Sequence, residues 1–116
     1  MLNKKNFTVI DRDEIADNDI QFTNALAVLE QGFDKEKPII VNEDGEILDG
    51  RHRYIIFEEE GRLDKINYIV VNEEKWLNLI DKEYDNGTDI KFFTGKDYFW
   101  EKIKETFPEA MNNIQK

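Results

Sequence analysis

Five consecutive residues, Asp49–Arg53, carry the side chains with the clearest chemical potential in this sequence. They are Asp-Gly-Arg-His-Arg, and the chain's single histidine, His52, is one of them. The apolar residues before this stretch predict a strand, and the spacing after it predicts a helix. A strand that turns directly into a helix presents free backbone N–H groups, and the helix dipole adds positive potential there. The stretch therefore predicts an anion-binding turn.

Each residue of this turn has a role in such a site. Gly50 permits a tight turn and the close approach of a ligand. Arg51 and Arg53 can form charge-assisted, bidentate contacts with phosphate. His52 can donate to an oxygen or transfer a proton. Because several donors converge from backbone and side chains, phosphate fits this turn better than a carboxylate does.

A purely structural interpretation competes with this one. The arginines could be solvated, or could pair with acidic residues at 58–60 or with the carboxylates of Asp44, Glu46 and Asp49. Cations in the first turn of a helix are disfavoured by about 0.3–1 kcal/mol each, so three in a row require either a bound anion or nearby carboxylates. Asp49 itself has two open roles, as a Mg²⁺ ligand beside a nucleotide or as a cap of the following helix, and we favour the cap.

Composition limits the other kinds of chemistry. The chain has 116 residues, 40% of them apolar, and no cysteine. Disulfides, thiolate metal sites and cysteine nucleophiles are thereby excluded. No apolar run approaches the ~20 residues of a membrane span. The first residues lack the apolar region of a secretory signal. We expect a cytoplasmic protein that does not enter a membrane.

The charge balance bears on partners. Twenty-six acidic residues oppose 16 lysines and arginines, which gives a net charge of −10. Affinity for nucleic acid depends mainly on cations that neutralise phosphates. Direct DNA binding is therefore disfavoured. In the alternative function, a protein partner would contact the acidic surface or the aromatic C-terminal region.

The apolar spacing predicts an α+β fold with a small mixed sheet, a β-hairpin and packed helices. We predict a hairpin turn at Asp44-Gly45 and a loose tail after Pro108. The segment 89–93 fits a short strand or an extended linker. Strands are predicted at 7–10, 39–41, 46–48 and 66–71, and helices from Ile20 to a stop at Gly32, at 50–60, 73–84 and 97–107. The aromatic C-terminal region predicts core stripes, or alternatively a protein interface, with Trp76, Leu77, Ile80, Phe99, Trp100, Ile103 and Phe107.

The segment Lys37–Val71 resembles the core of the ParB/sulfiredoxin superfamily. The resemblance rests on the Pro-Ile-Ile-Val strand, the Asp-Gly hairpin, the helix opening Asp-Gly-x-His-Arg-Tyr, and a later strand that ends in Val-Val. It implies a ParB/sulfiredoxin-like core at 1–72, with 73–116 as a helical extension packed on the same domain. It also implies that nucleotide phosphates bind at the helix start, on Gly50, His52, Arg53 and, less directly, Arg51.

Branches of this superfamily differ at the turn. The absence of cysteine excludes sulfiredoxin activity. Partition-type ParB proteins carry Gly-Glu-Arg-Arg there, and this chain lacks both that Glu and the helix-turn-helix region, which disfavours a CTP-switched clamp. Free-serine kinases carry Asp-Gly-His-His-Arg, the most similar of these motifs. They place a catalytic carboxylate in the N-terminal region, for which the candidates are Asp13, Glu14, Asp17 and Asp19.

Three functions follow as expectations. The first is a nucleotide-binding domain for ATP, ADP or CTP, with Mg²⁺, that transfers or hydrolyses phosphoryl groups and uses His52 and Asp49 in catalysis. The alternative is a small acidic protein of a phage or mobile element that binds and inhibits a host protein. The third is a nuclease, which predicts metal-dependent nicking of DNA that is lost in His52→Ala.

Overall fold

The computed structural model describes residues 2–12, 19–94 and 96–116. It shows an α+β fold in which helices pack on a three-stranded sheet, which confirms the predicted fold class. In chain order the elements are α1 (Asp19–Gln31), β1 (Ile39–Val41), β2 (Ile47–Asp49), α2 (Arg51–Glu59), β3 (Tyr68–Val70), α3 (Glu73–Asp85), α4 (Ile90–Phe93), α5 (Phe99–Thr106) and α6 (Pro108–Asn112), with 3₁₀ turns at Lys4–Asn6 and Leu63–Lys65.

The sheet has the strand order β2-β1-β3. β1 and β2 form the predicted antiparallel hairpin, whereas β3 lies parallel to β1. The buried side chain of Asn42 holds the hairpin turn, because its Oδ1 accepts the N–H groups of Asp44 and Glu46, both at 2.9 Å. Its amide also donates to the carboxylate of Glu46 at 3.1 Å. A local Asx interaction of this kind explains why the Asp-Gly signal identified the turn correctly.

Two single bridges extend the sheet at its margins. Thr8 bridges Glu46 beside β2, and Gln115 bridges Tyr68 beside β3. The predicted strand at 7–10 is therefore reduced to one bridging residue. The prediction of a loose tail was wrong, because the N–H and C=O groups of Gln115 and Tyr68 exchange hydrogen bonds of 2.8 and 2.9 Å. These bonds satisfy backbone groups at the edge of β3 that otherwise need another partner.

Each face of the sheet is covered by its own apolar cluster, because successive strand residues point to opposite faces. The first cluster joins the sheet to α1 and α2 and includes Ile39, Val41, Ile47, Tyr54, Phe57 and Tyr68. The second joins it to the C-terminal helices and includes Ile40, Ile69, Val71, Trp76, Phe99, Ile103 and Phe107. The helices α1 and α2 cover one face of the sheet, and the C-terminal helices form the second core on the other face.

The C-terminal third departs from the predicted elements. Residues 90–93 form the short helix α4 rather than a strand or linker. The helix α5 ends before Pro108, as predicted, but Pro108 also begins α6, since proline at the first helical position lacks only an N–H group that would have no partner in the helix. The core interpretation of Trp76, Phe99 and Phe107 is confirmed, but Leu77 is 53% exposed.

Within the described residues, every helix is too short or too polar to cross a lipid bilayer.

Candidate functional site

The turn between β2 and α2 has the backbone conformation that the sequence predicts. Gly50 connects the two elements with φ +99° and ψ 22°, in the left-handed region. A Cβ atom at this position would lie 2.6 Å from Cδ1 of Ile39 and 2.9 Å from Nη2 of Arg53. Both the φ angle and the lack of space require glycine here.

The first turn of α2 begins directly after Gly50. The first bond within the helix runs from the N–H of Tyr54 to the carbonyl of Gly50, at 2.9 Å. The N–H groups that precede it have no partner within a regular helix. Among the described residues, no side chain caps this end, and the first turn contains no acidic residue. The N-terminal end of α2 thus keeps the positive potential of the helix dipole.

Arg53 faces the protein rather than the open turn. Its Nη1 donates to the backbone carbonyl of Lys37. Its Nη2 lies 3.6 Å from Oδ2 of Asp49, and the two side chains are only 17% and 15% exposed. The guanidinium also lies over the ring of Phe33, and its central carbon, Cζ, is 5.4 Å from the ring centroid. Arg53 therefore ties the end of β2 to the segment that connects α1 to β1.

Burial is the largest cause of the pKa shifts of both Asp49 and Arg53. Loss of water raises the pKa of Asp49 above its usual value, although Arg53, Arg51 and the N–H of Gly50 act in the opposite direction. Loss of water likewise lowers the pKa of Arg53, and Asp49 opposes that shift. The carboxylate of Asp49 interacts with the N–H of Gly50, so it holds the turn just outside the helix and does not cap its first turn.

Arg51 and His52 occupy the first turn of α2, and both are half-buried. Nη1 of Arg51 donates to the carbonyl of Ile10 at 3.1 Å. Nε2 of His52 is shielded from solvent. A guanidinium has five N–H donors, and among the described residues the carbonyl of Ile10 is the acceptor that engages Arg51.

None of the predicted catalytic carboxylates belongs to the side chains that the structure describes. Asp13, Glu14 and Asp17 lie outside the described residues. Asp19 begins α1, and only its backbone is described. Across the described ranges, no group of three or more histidine, aspartate or glutamate side chains is arranged to hold a metal ion.

Two hollows elsewhere on the surface were missed by sequence reasoning. A groove of about 400 Å³ lies between the edge of β3 and α6, with Leu2, Tyr68, Val70, Glu109, Ala110, Asn113 and Gln115 as its lining. A hollow of about 160 Å³ lies between α3 and α5, with Lys75, Asn78, Leu79, Lys82 and Thr106 as its lining. Neither hollow includes the β2–α2 turn. The groove could not have been predicted, because it depends on the bridge between Gln115 and Tyr68.

Comparisons with protein-family models, curated proteins and solved structures found no significant match to this chain. Membership of the ParB/sulfiredoxin superfamily therefore remains a prediction from the motif at 37–71.

Proposed function

We propose that the β2–α2 turn binds the phosphate groups of a nucleotide. One observation carries this proposal: α2 starts directly after a left-handed glycine, and among the described residues its first turn has neither a side-chain cap nor an acidic residue. Backbone N–H groups at such an end bind anions, and the helix dipole strengthens the attraction. Arg51 adds charged donors beside these groups, and the phosphate contact of His52 stays a prediction.

The contacts divide the two arginines into different roles. Arg53 is held by the carbonyl of Lys37, by Asp49 and by the Phe33 ring, so it fixes the shape of the turn. Arg51 is half-buried, and among the described residues it makes one hydrogen bond, to the carbonyl of Ile10. We assign Arg51 to phosphate contact and Arg53 to positioning. The predicted phosphate contact of Arg53 would require it to leave its present partners.

Mg²⁺ fits this turn poorly. Among the described residues, the carboxylate at this turn is that of Asp49, which is 15% exposed and lies 3.6 Å from a guanidinium nitrogen of Arg53. A dication at that carboxylate would be placed beside the arginine cation. The proposal therefore covers binding of the nucleotide phosphates and does not place Mg²⁺ on Asp49. Proton transfer by His52 stays a prediction.

Titration calorimetry with ATP, ADP and CTP, each with and without Mg²⁺, tests the proposal. Arg51→Ala should weaken binding by about tenfold or more, which is the loss of one charge-assisted contact of ~1.5–3 kcal/mol. Arg62→Ala is the matched control, because it removes the same charge from an exposed residue beyond the other end of α2. It should change affinity by less than about threefold, as expected for a distant surface charge. Absence of binding at millimolar nucleotide, or equal losses in both variants, would refute the proposal.

The same samples test turnover. If His52 transfers a proton during hydrolysis, release of inorganic phosphate should fall in His52→Ala while nucleotide affinity changes little. If the nucleotide binds but no phosphate is released, the protein binds nucleotides without hydrolysing them, and the prediction of catalysis is wrong.

A further inference from the structure

Helix α3 presents an apolar stripe to solvent. Leu77 and Tyr84 are 53% and 71% exposed, and among the described residues they are the two most exposed large hydrophobic side chains. They lie seven residues apart, which places them on one face of the helix about 10 Å from each other along its axis. Ile80 is half-buried and lies between them at the i+3 and i−4 positions. The three side chains form what we call the α3 stripe.

Leu77 and Tyr84 are not needed to attach α3 to the rest of the protein, whereas Ile80 packs partly against the apolar cluster beneath the helix. Trp76, Leu79 and Glu83 provide the buried side of the helix. Trp76 and Leu79 belong to the apolar cluster beneath it. Oε2 of Glu83 accepts hydrogen bonds from the hydroxyl groups of Thr88 and Tyr98, at 3.1 and 3.3 Å. Leu77 and Tyr84 therefore expose apolar area that contributes little to the core.

Acidic side chains surround the stripe. Glu73 and Glu74 lie one turn before Leu77, Asp81 lies one turn after it, and Asp85 follows Tyr84. All four are exposed. Within the described part of the chain, the ion pairs involve none of these four carboxylates. An apolar surface edged by uncompensated negative charge is complementary to a positively charged partner.

We propose that the α3 stripe is a docking site for a basic segment of another protein, in which lysines or arginines flank apolar anchors. Tyrosine is a frequent anchor at protein interfaces. A second copy of this chain is disfavoured as the occupant, because it would bring a further net charge of −10 to a face that is already acidic. An anionic membrane is disfavoured for the same reason. The proposal does not rest on phosphate binding, and it gives a surface and a partner chemistry to the protein-directed function that the sequence predicts as the alternative.

The test uses the full chain and a fluorescent peptide of leucine and lysine at helical spacing, with leucine–glutamine and leucine–glutamate counterparts as probes. Fluorescence anisotropy should show binding of the lysine peptide, weaker binding of the glutamine peptide and none of the glutamate peptide. Raising the salt from about 0.05 to about 0.5 M should weaken binding, because exposed charges are screened. Leu77→Ser and Tyr84→Ser should each reduce affinity by about tenfold or more, the loss typical of an anchor residue.

Leu26→Ser is the matched control, because it removes a leucine that is 46% exposed from α1. It should leave peptide affinity unchanged, and circular dichroism should show that all three variants remain folded. The proposal is overturned if the lysine peptide does not bind, if the glutamate peptide binds equally well, or if Leu26→Ser weakens binding as much as the stripe variants do. Sedimentation that shows a dimer dissociated by Leu77→Ser would also overturn it, since the occupant would then be a second copy.

Discussion

Replacement of Gly50 by alanine tests the geometry of the β2–α2 turn. Alanine at φ +99° is strained, at a cost of about 1–2 kcal/mol in the left-handed region. The new methyl group would also lie 2.6 Å from Cδ1 of Ile39. Ile39 is fully buried, so its side chain has no solvent to move into, and overpacking of this kind costs about 1–3 kcal/mol. Together these effects predict a loss of about 2–5 kcal/mol in the free energy of unfolding.

Gly87→Ala separates the two effects. Gly87 has φ +86°, and a Cβ atom there would have nothing within 4 Å. It should therefore lose only the backbone contribution, about 1–2 kcal/mol. Urea denaturation followed by tryptophan fluorescence measures both variants, and the slope of the transition shows whether their unfolded states are comparable. Equal losses in Gly50→Ala and Gly87→Ala would refute the close packing of Gly50 against Ile39 and Arg53.

Three further outcomes are expected from the same structure. Arg53→Ala should lower the free energy of unfolding by about 3 kcal/mol, because it leaves Asp49 buried without its cation. Arg51→Ala should lower it by less than about 1 kcal/mol. Equal losses in urea denaturation would contradict the different burial of the two arginines. Burial raises the pKa of Asp49 above 3.8, so the folded chain keeps a proton that the unfolded chain releases, and stability should fall as pH rises from 3.8 through the raised pKa. Denaturation across this pH range should show that the stability of Asp49→Asn lacks this decrease. A difference in the free energy of unfolding between variant and parent that stays constant with pH would contradict a raised pKa of Asp49. Deletion of residues 114–116 removes two hydrogen bonds to Tyr68 and should cost about 2 kcal/mol, and an unchanged melting temperature would mean that the bridge contributes nothing.

Local signals account for the features that the sequence predicted correctly. The Asp44-Gly45 turn depends on backbone and side-chain geometry within a few residues, and Asn42 completes it from the same segment. The start of α2 after Gly50 is equally local, since a strand, a glycine and a helical pattern follow each other directly. Such features are largely independent of how the rest of the chain folds.

Features set by distant contacts could not be predicted in this way. Arg53 faces inward because the carbonyl of Lys37 lies within reach of its guanidinium, and no pattern within residues 49–53 contains that information. In α3 the face that carries Trp76 and Glu83 is buried, which leaves Leu77 in solvent. The aromatic composition of 90–93 favours a strand by propensity, but the segment forms a helix in which Phe93 packs in the C-terminal cluster.

The division of apolar residues between the two faces of the sheet limits how the gene could be rearranged. Ile40 comes from the hairpin and Ile69 from β3, yet both are buried by the helices that follow residue 72. Recombination that exchanged this C-terminal part for an unrelated sequence would leave both side chains without a cover and invite aggregation. The two parts of the chain therefore constrain each other's evolution, although the motif that suggests a function lies wholly in the first.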